Sequence, residues 1–209
     1  MSQNEEKLVD SYKTLATAAP ETIFKDRGSK FIGYAFHVKT EEDIKLCLDN
    51  LRSDHAKASH VCYAWQLGKR YDHSRANDDG EPNNSAGMPI YGQLQSFDLT
   101  QTLVAVVRYY GGTNLGVGGL IHAYKTSAQI TLEGAKIVRK SIKTTIAVSF
   151  DYPLMNKVMR IIKEENLNIK KQDMHLDCKI TLEVRNNKID QIKDRFEAIF
   201  GTKTEILDD

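Results

Sequence analysis

From Leu103 to Val107 the chain carries no polar side chain, and it then passes directly into Gly111-Gly112-Thr113-Asn114-Leu115-Gly116-Val117-Gly118-Gly119. An uninterrupted apolar run of this length reads as a central strand covered on both faces, so the surrounding fold needs a layer on each side of a sheet. Beyond the glycines a helix is expected from about Leu120 to Gly134, ended by a glycine in the usual position after the last turn. Glycine admits positive φ and close backbone approach, and a helix start offers free N–H donors and a positive dipole end. Gly111, Gly112, Gly116, Gly118 and Gly119 could therefore cradle an anion or a phosphate backbone. They could equally permit tight packing against the 78–89 segment.

Upstream, Glu21 to Lys25 and Phe31 to Val38 read as extended segments around the turn-like Asp26-Arg27-Gly28-Ser29, which predicts a hairpin. Thr40 followed by Glu41, Glu42 and Asp43 predicts a capped helix start, and Ile44, Cys47, Leu48, Leu51 and His55 continue it at helical spacing over 41–57. Val61, Tyr63, Trp65 and Leu67 alternate as a half-buried strand does, followed by Gly68-Lys69-Arg70 and a shorter strand over Tyr71 to Ala76. A polar loop from Asn77 to Asn84 leads to a short helix from Ser85 to about Phe97.

The pattern restarts at Lys143 in the order strand, helix, strand, strand, helix, strand, ending at Thr202 to Leu207. This βαββαβ order predicts a ferredoxin-like domain. The chain is thus expected to be α+β with two domains, 1–138 and 139–209.

With 29 Lys+Arg against 28 Asp+Glu the formal net charge is +1, and neither half is a polyelectrolyte: 17 against 16 up to residue 140, 12 against 12 after it. Binding to duplex driven by total charge is therefore not expected, and any nucleic-acid contact must rest on local features. No run of apolar residues has the length of a membrane span, and the polar, acidic start does not resemble a signal peptide, so the expected location is cytoplasmic. Cys47, Cys62 and Cys178 are far apart in apolar patterns, which favours buried thiols.

The motifs for familiar chemistry are incomplete. Gly111 and Gly116 have the outer spacing of a Walker loop, but Val117 and Gly118 stand where its lysine and hydroxyl residue belong. Gly116-x-Gly118 is followed by Ile121 in place of the third glycine of a dinucleotide fingerprint. Asp78, Asp79 and Glu81 could hold magnesium or act as acid and base, or they could brace the fold. The favoured reading is a structural ion pair of Asp78 or Asp79 with Arg108. His55, His60, His73 and Cys62 lack the spacing of a zinc site. No catalytic residue, metal or cofactor is assigned.

Asp78-Asp79-Gly80-Glu81-Pro82, Ala86-Gly87-Met88-Pro89-Ile90, Val106 to Gly112, Leu115 to Leu120 and Ala123-Tyr124 together resemble the signature of the IMPACT/YigZ family, with agreement over roughly 20–135. Asn84 stands where that family usually has glycine, Asn114 where lysine is frequent and His122 where arginine is frequent. The resemblance implies an N-terminal domain like elongation factor G domain IV and a C-terminal domain like its domain V. It also implies a link to translation, since eukaryotic members are translation regulators that bind a partner of a stress kinase. The expectation is an RNA- or ribosome-associated regulator. Its anion-binding residues would be Arg108, the five glycines, His122, Lys125 and Arg75, with Lys69 and Arg70 extending the surface. A module docking a folded protein and a metal-dependent enzyme acting on a small phosphorylated substrate are the alternatives. The oligomeric state is not legible.

Overall fold

The structure is a computed structural model that describes residues 10–175 and 177–207. It divides into two compact units, Tyr12–Lys140 and Ser141 onward, the second also taking residues 10 and 11. The division thus falls two residues beyond the expected 138. Asp10 belongs to the second unit because its carbonyl accepts from the Ile142 amide at 2.7 Å and its carboxylate from the Asn187 amide at 3.3 Å.

The first unit runs β1 (Ser11–Leu15), β2 (Thr22–Asp26), β3 (Ser29–His37), α1 (Glu41–Asp54), β4 (His60–Leu67), β5 (His73–Asn77), α2 (Gly87–Ser96), β6 (Thr102–Tyr109), α3 (Gly116–Glu133) and β7 (Ile137–Ser141). Five strands form one antiparallel sheet in the order β2-β3-β6-β4-β5, and β1 pairs with β7. β6 lies at the centre, buried along its whole length to Arg108. Its alternation feeds two cores. Leu103, Ala105 and Val107 face α1 with Ile44, Leu48 and Leu51, whereas Val104 and Val106 face α2 and α3 with Ile90, Leu94, Leu120 and Tyr124.

The β2–β3 hairpin forms through a two-residue turn, Arg27 at φ 44° and Gly28 at φ 81°. Both central residues are left-handed, the geometry that matches the twist of paired strands. α1 starts at a capping box in which Thr40 accepts from the Asp43 amide and Asp43 accepts from the Thr40 amide, and His55 caps its other end. Strands β1 and β7 were not expected from the sequence. α3 begins four residues earlier than expected, because Leu115 and Leu120 are buried on either side of Gly116–Gly119 and pull those glycines into the first helical turn.

The second unit runs β8 (Lys143–Asp151), α4 (Met155–Glu164), β9 (Asn168–Met174), β10 (Asp177–Arg185), α5 (Ile189–Glu197) and β11 (Lys203–Leu207). Its sheet is antiparallel in the order β11-β8-β10-β9, with the first and third strands of the unit at the centre. Ile146, Val148, Ile180 and Leu182 pack under Val158, Ile162, Ile192 and Phe196. This is the βαββαβ connectivity expected. Among the described residues no helix is long and apolar enough to cross a membrane.

Candidate functional site

Arg108 is the last buried residue of β6, on the face shared with Val104 and Val106, and it is only 5% exposed. A guanidinium cannot lose its charge, so at that depth it needs an anion. Glu81 supplies it: Arg108 Nη1 donates to Glu81 Oε1 at 2.5 Å, and the Tyr124 hydroxyl donates to the same oxygen at 2.8 Å. The rings of Phe31 and Tyr110 each lie 5.5 Å from the guanidinium carbon. Cys62 extends the cluster, its thiol 3.0 Å from the Asp78 carbonyl, to which it donates, and 3.3 Å from the Tyr124 hydroxyl. Burial pushes the Cys62 thiol and the Tyr124 phenol well above their ordinary values. Both stay protonated, which is the opposite of an activated nucleophile.

The acidic motif is divided among three tasks. Asp78 caps α2, accepting from the Ala86 and Gly87 amides at 3.0 and 2.8 Å on one oxygen and from Asn84 at 2.9 Å on the other. Asp79 accepts from the Val61 amide at 2.7 Å and pairs with Arg52 at 3.5 Å. Glu81 alone meets Arg108, so the expected pairing of Asp78 or Asp79 with Arg108 is corrected. Both aspartates are already committed, and the buried position is filled by the longer side chain. The three carboxylates do not converge, and no group of three metal-ligating side chains occurs among the described residues. Nor do the histidines gather: His55 bonds to Tyr34 and Tyr109 on the α1 face, whereas His60 and Cys62 belong to the opposite face of β4.

The five glycines serve different purposes. Gly111 is packing: a Cβ there would lie 1.9 Å from the carbonyl carbon of Gly28, and its amide donates to Ser29 Oγ at 3.1 Å. Gly119 would crowd Leu115 at 2.9 Å. Gly112 and Gly116 are left-handed, at φ 84° and 73°, with open space where a side chain would go. Gly118 has neither a left-handed backbone nor, apart from its chain neighbours and the backbone of its own helix turn, any atom within 4 Å of an added Cβ. It is exposed in the first turn of α3, a turn with no acidic residue and no side-chain cap.

The cations expected beside this turn are scattered. Arg108 is buried and paired. Lys125 is exposed further along α3, in an open groove shared with Pro89, Gly92 and Phe97. Arg75 is the cross-strand partner of Trp65 and lines a separate cleft of about 280 Å³ against α1 with Lys45 and Arg52. His122 is exposed on α3, its ring 6.3 Å from that of Phe24. The unusual asparagines have local explanations. Asn84 takes φ 60°, a conformation asparagine tolerates where glycine is favoured, and Asn114 accepts from the Tyr110 hydroxyl at 3.1 Å. Sequence reasoning missed Lys25 and Lys30, which the hairpin carries to the side of the glycine turn; only the β2-β3-β6 strand order reveals that neighbourhood.

These motifs place the chain among known proteins. The Impact N-terminal domain matches residues 27–132. The IMPACT family member YvyE of Bacillus subtilis is 32% identical over 163 residues, covering 78% of this chain and 75% of that protein. The IMPACT family member YigZ of Escherichia coli is 35% identical over 141 residues, covering 66% and 69%. A hypothetical protein of known crystal structure, 24% identical, superposes with a TM-score of 0.72 over 97% of this chain and the whole of its own, and so shares the fold. By the match of its first unit and its likeness to the two bacterial relatives, the chain belongs to the IMPACT family.

Proposed function

We propose that this chain is a translation-associated binding protein that meets RNA, free or on the ribosome, through the glycine turn and the first turn of α3. The observation that carries this reading is Gly118. Glycine inside a helix costs about 0.5–1 kcal/mol relative to alanine, and at Gly118 neither the backbone nor a neighbour requires it. Close approach by the backbone of a partner accounts for it. The uncapped N–H groups of that turn are the donors a phosphate would use. The kinship with elongation factor G that the family resemblance implies makes the ribosome the natural place to look, by analogy of fold.

A folded protein partner is the competing occupant, favoured by Tyr110 and Val117, which are 49% and 52% exposed around the same turn. Co-sedimentation with ribosomes across a salt series separates the two. Wild type is expected to pellet at low salt and to be released as salt rises, and Gly118→Asp is expected not to pellet. Salt-insensitive pelleting, or pelleting retained by the variant, would overturn the RNA reading.

A further inference from the structure

The face of the five-stranded sheet that carries α1 is covered only in part. α1 packs against β4 and β6, where Val61, Tyr63, Trp65 and Leu67 are all buried. Over β3 and β2 the same face is less covered: Ile32 is buried, but Lys30, Tyr34 and Phe36 are half-buried, and Ile23 and Lys25 are exposed. Aromatic rings follow one another across it. Phe36 and Tyr34 are 6.3 Å apart and nearly parallel, Tyr34 and His55 are 5.6 Å apart, and His55 and Tyr109 are 5.9 Å apart.

Hydrogen bonds fix these rings. The Tyr34 hydroxyl donates to Glu21 at 2.6 Å and lies 2.8 Å from His55 Nε2, and His55 Nδ1 lies 2.9 Å from the Tyr109 hydroxyl. Because the single Tyr34 hydroxyl proton is donated to Glu21, His55 Nε2 is the donor in its bond to Tyr34. Rings held in this way lose little freedom when something stacks on them.

At the hairpin end of the same face, Lys25 and Lys30 are direct cross-strand partners, and Lys30 is also the cross-strand partner of Tyr109. Like charges directly opposite one another destabilise a strand pair, and no acid pairs with either lysine among the described residues. The acids near the rings, Glu21 and Asp54, both act on Tyr34, further along the sheet from the lysines. The hairpin turn itself touches the glycine turn through Gly28, Ser29 and Gly111. The lysine pair is therefore contiguous with the glycine turn.

We infer that this open half-face binds single-stranded RNA, with Lys25 and Lys30 meeting phosphate and the rings of Tyr109 and Tyr34 stacking an unpaired base. The inference rests on the RNA reading of the glycine turn and supplies the cations that turn lacks. Stacking requires a base free of its partner, so a single strand is bound in preference to a duplex.

Fluorescence anisotropy with a labelled oligouridine and with a labelled RNA duplex, over a salt series, tests this. The double variant Lys25→Gln/Lys30→Gln should lower the slope of log affinity against log salt by about 1.4 on the single strand, two contacts' worth. Tyr109→Leu should weaken binding about 10-fold with the slope unchanged, and Tyr109→Phe, which keeps the ring but loses the hydroxyl that bonds to His55, should weaken it by less. Thermal melting confirms that each variant is folded. Wild-type affinity and slope in these variants, with Gly118→Asp still abolishing binding, would overturn the platform and leave the glycine turn standing, as would a preference for duplex. No RNA binding by wild type at any salt would overturn both.

Discussion

Arg108 and Gly118 belong to one motif, yet the structure uses them in opposite ways. Arg108 carries the charge that nucleic-acid recognition calls for, and it is sealed between Glu81, Phe31 and Tyr110. Gly118 carries no functional group, and it stands in the open with a free helix end behind it. What separates them is the pleat. Alternation along β6 turns Arg108 inward beside Val106, whereas the strand ends at Tyr109 and releases the glycine turn to solvent. A basic residue in a motif is evidence of binding only once its burial is known.

The contrast is broken most severely by Glu81→Ala. It leaves a buried guanidinium without its anion, and equilibrium denaturation should show a loss of about 3–5 kcal/mol. Arg108→Ala strands Glu81 in the same way, so it cannot separate folding from binding. Next in size is Gly111→Ala, whose Cβ would meet the hairpin backbone at 1.9 Å. It should cost about 1–3 kcal/mol in the same assay, the range of an overpacked site.

Alkaline titration sharpens the buried side of the comparison. Cys62 and Tyr124 are raised above their ordinary 9.0 and 10.0 in the folded chain. The unfolded chain therefore gives up these protons first, so stability is intact below about pH 9 and falls as pH rises beyond it. Stability measured by denaturant at stepwise pH checks the sign; a rise above pH 9 would contradict it. The smallest effect is on the exposed side, where Gly118→Ala should raise stability by about 0.5–1 kcal/mol, read as a higher melting temperature.

Much of this fold is written in local pattern. The Asp26-Arg27-Gly28-Ser29 turn and the capped start of α1 need only neighbouring residues to be read, whereas β4, expected to be half-buried, is buried on both faces because Cys62 and Ala64 pack under α2 and α3. The βαββαβ order of the second unit follows from periodicity in the same way. What escaped the sequence depends on distant partners. β1 and β7 are short, and each becomes a strand only by meeting the other across the length of the first unit. The start of α3 is set by burial of Leu115 and Leu120, which outweighs the poor helix propensity of the glycines between them. The partner of Arg108 depended on which of three nearby acids was still uncommitted once α2 had been capped. Lys25 and Lys30 were invisible as site residues because a strand order, not a spacing, puts Lys30 opposite Tyr109 and their hairpin turn beside Gly111.

The most direct test is amide and guanidinium NMR of the isotopically labelled protein during titration with single-stranded RNA. The account predicts that the backbone amides of Gly112, Gly116 and Gly118 shift with added RNA while the Arg108 Nε resonance stays in place. A moving Arg108 resonance beside unmoved glycine amides would contradict it, returning the contact to the arginine and leaving the exposed glycine turn without a role.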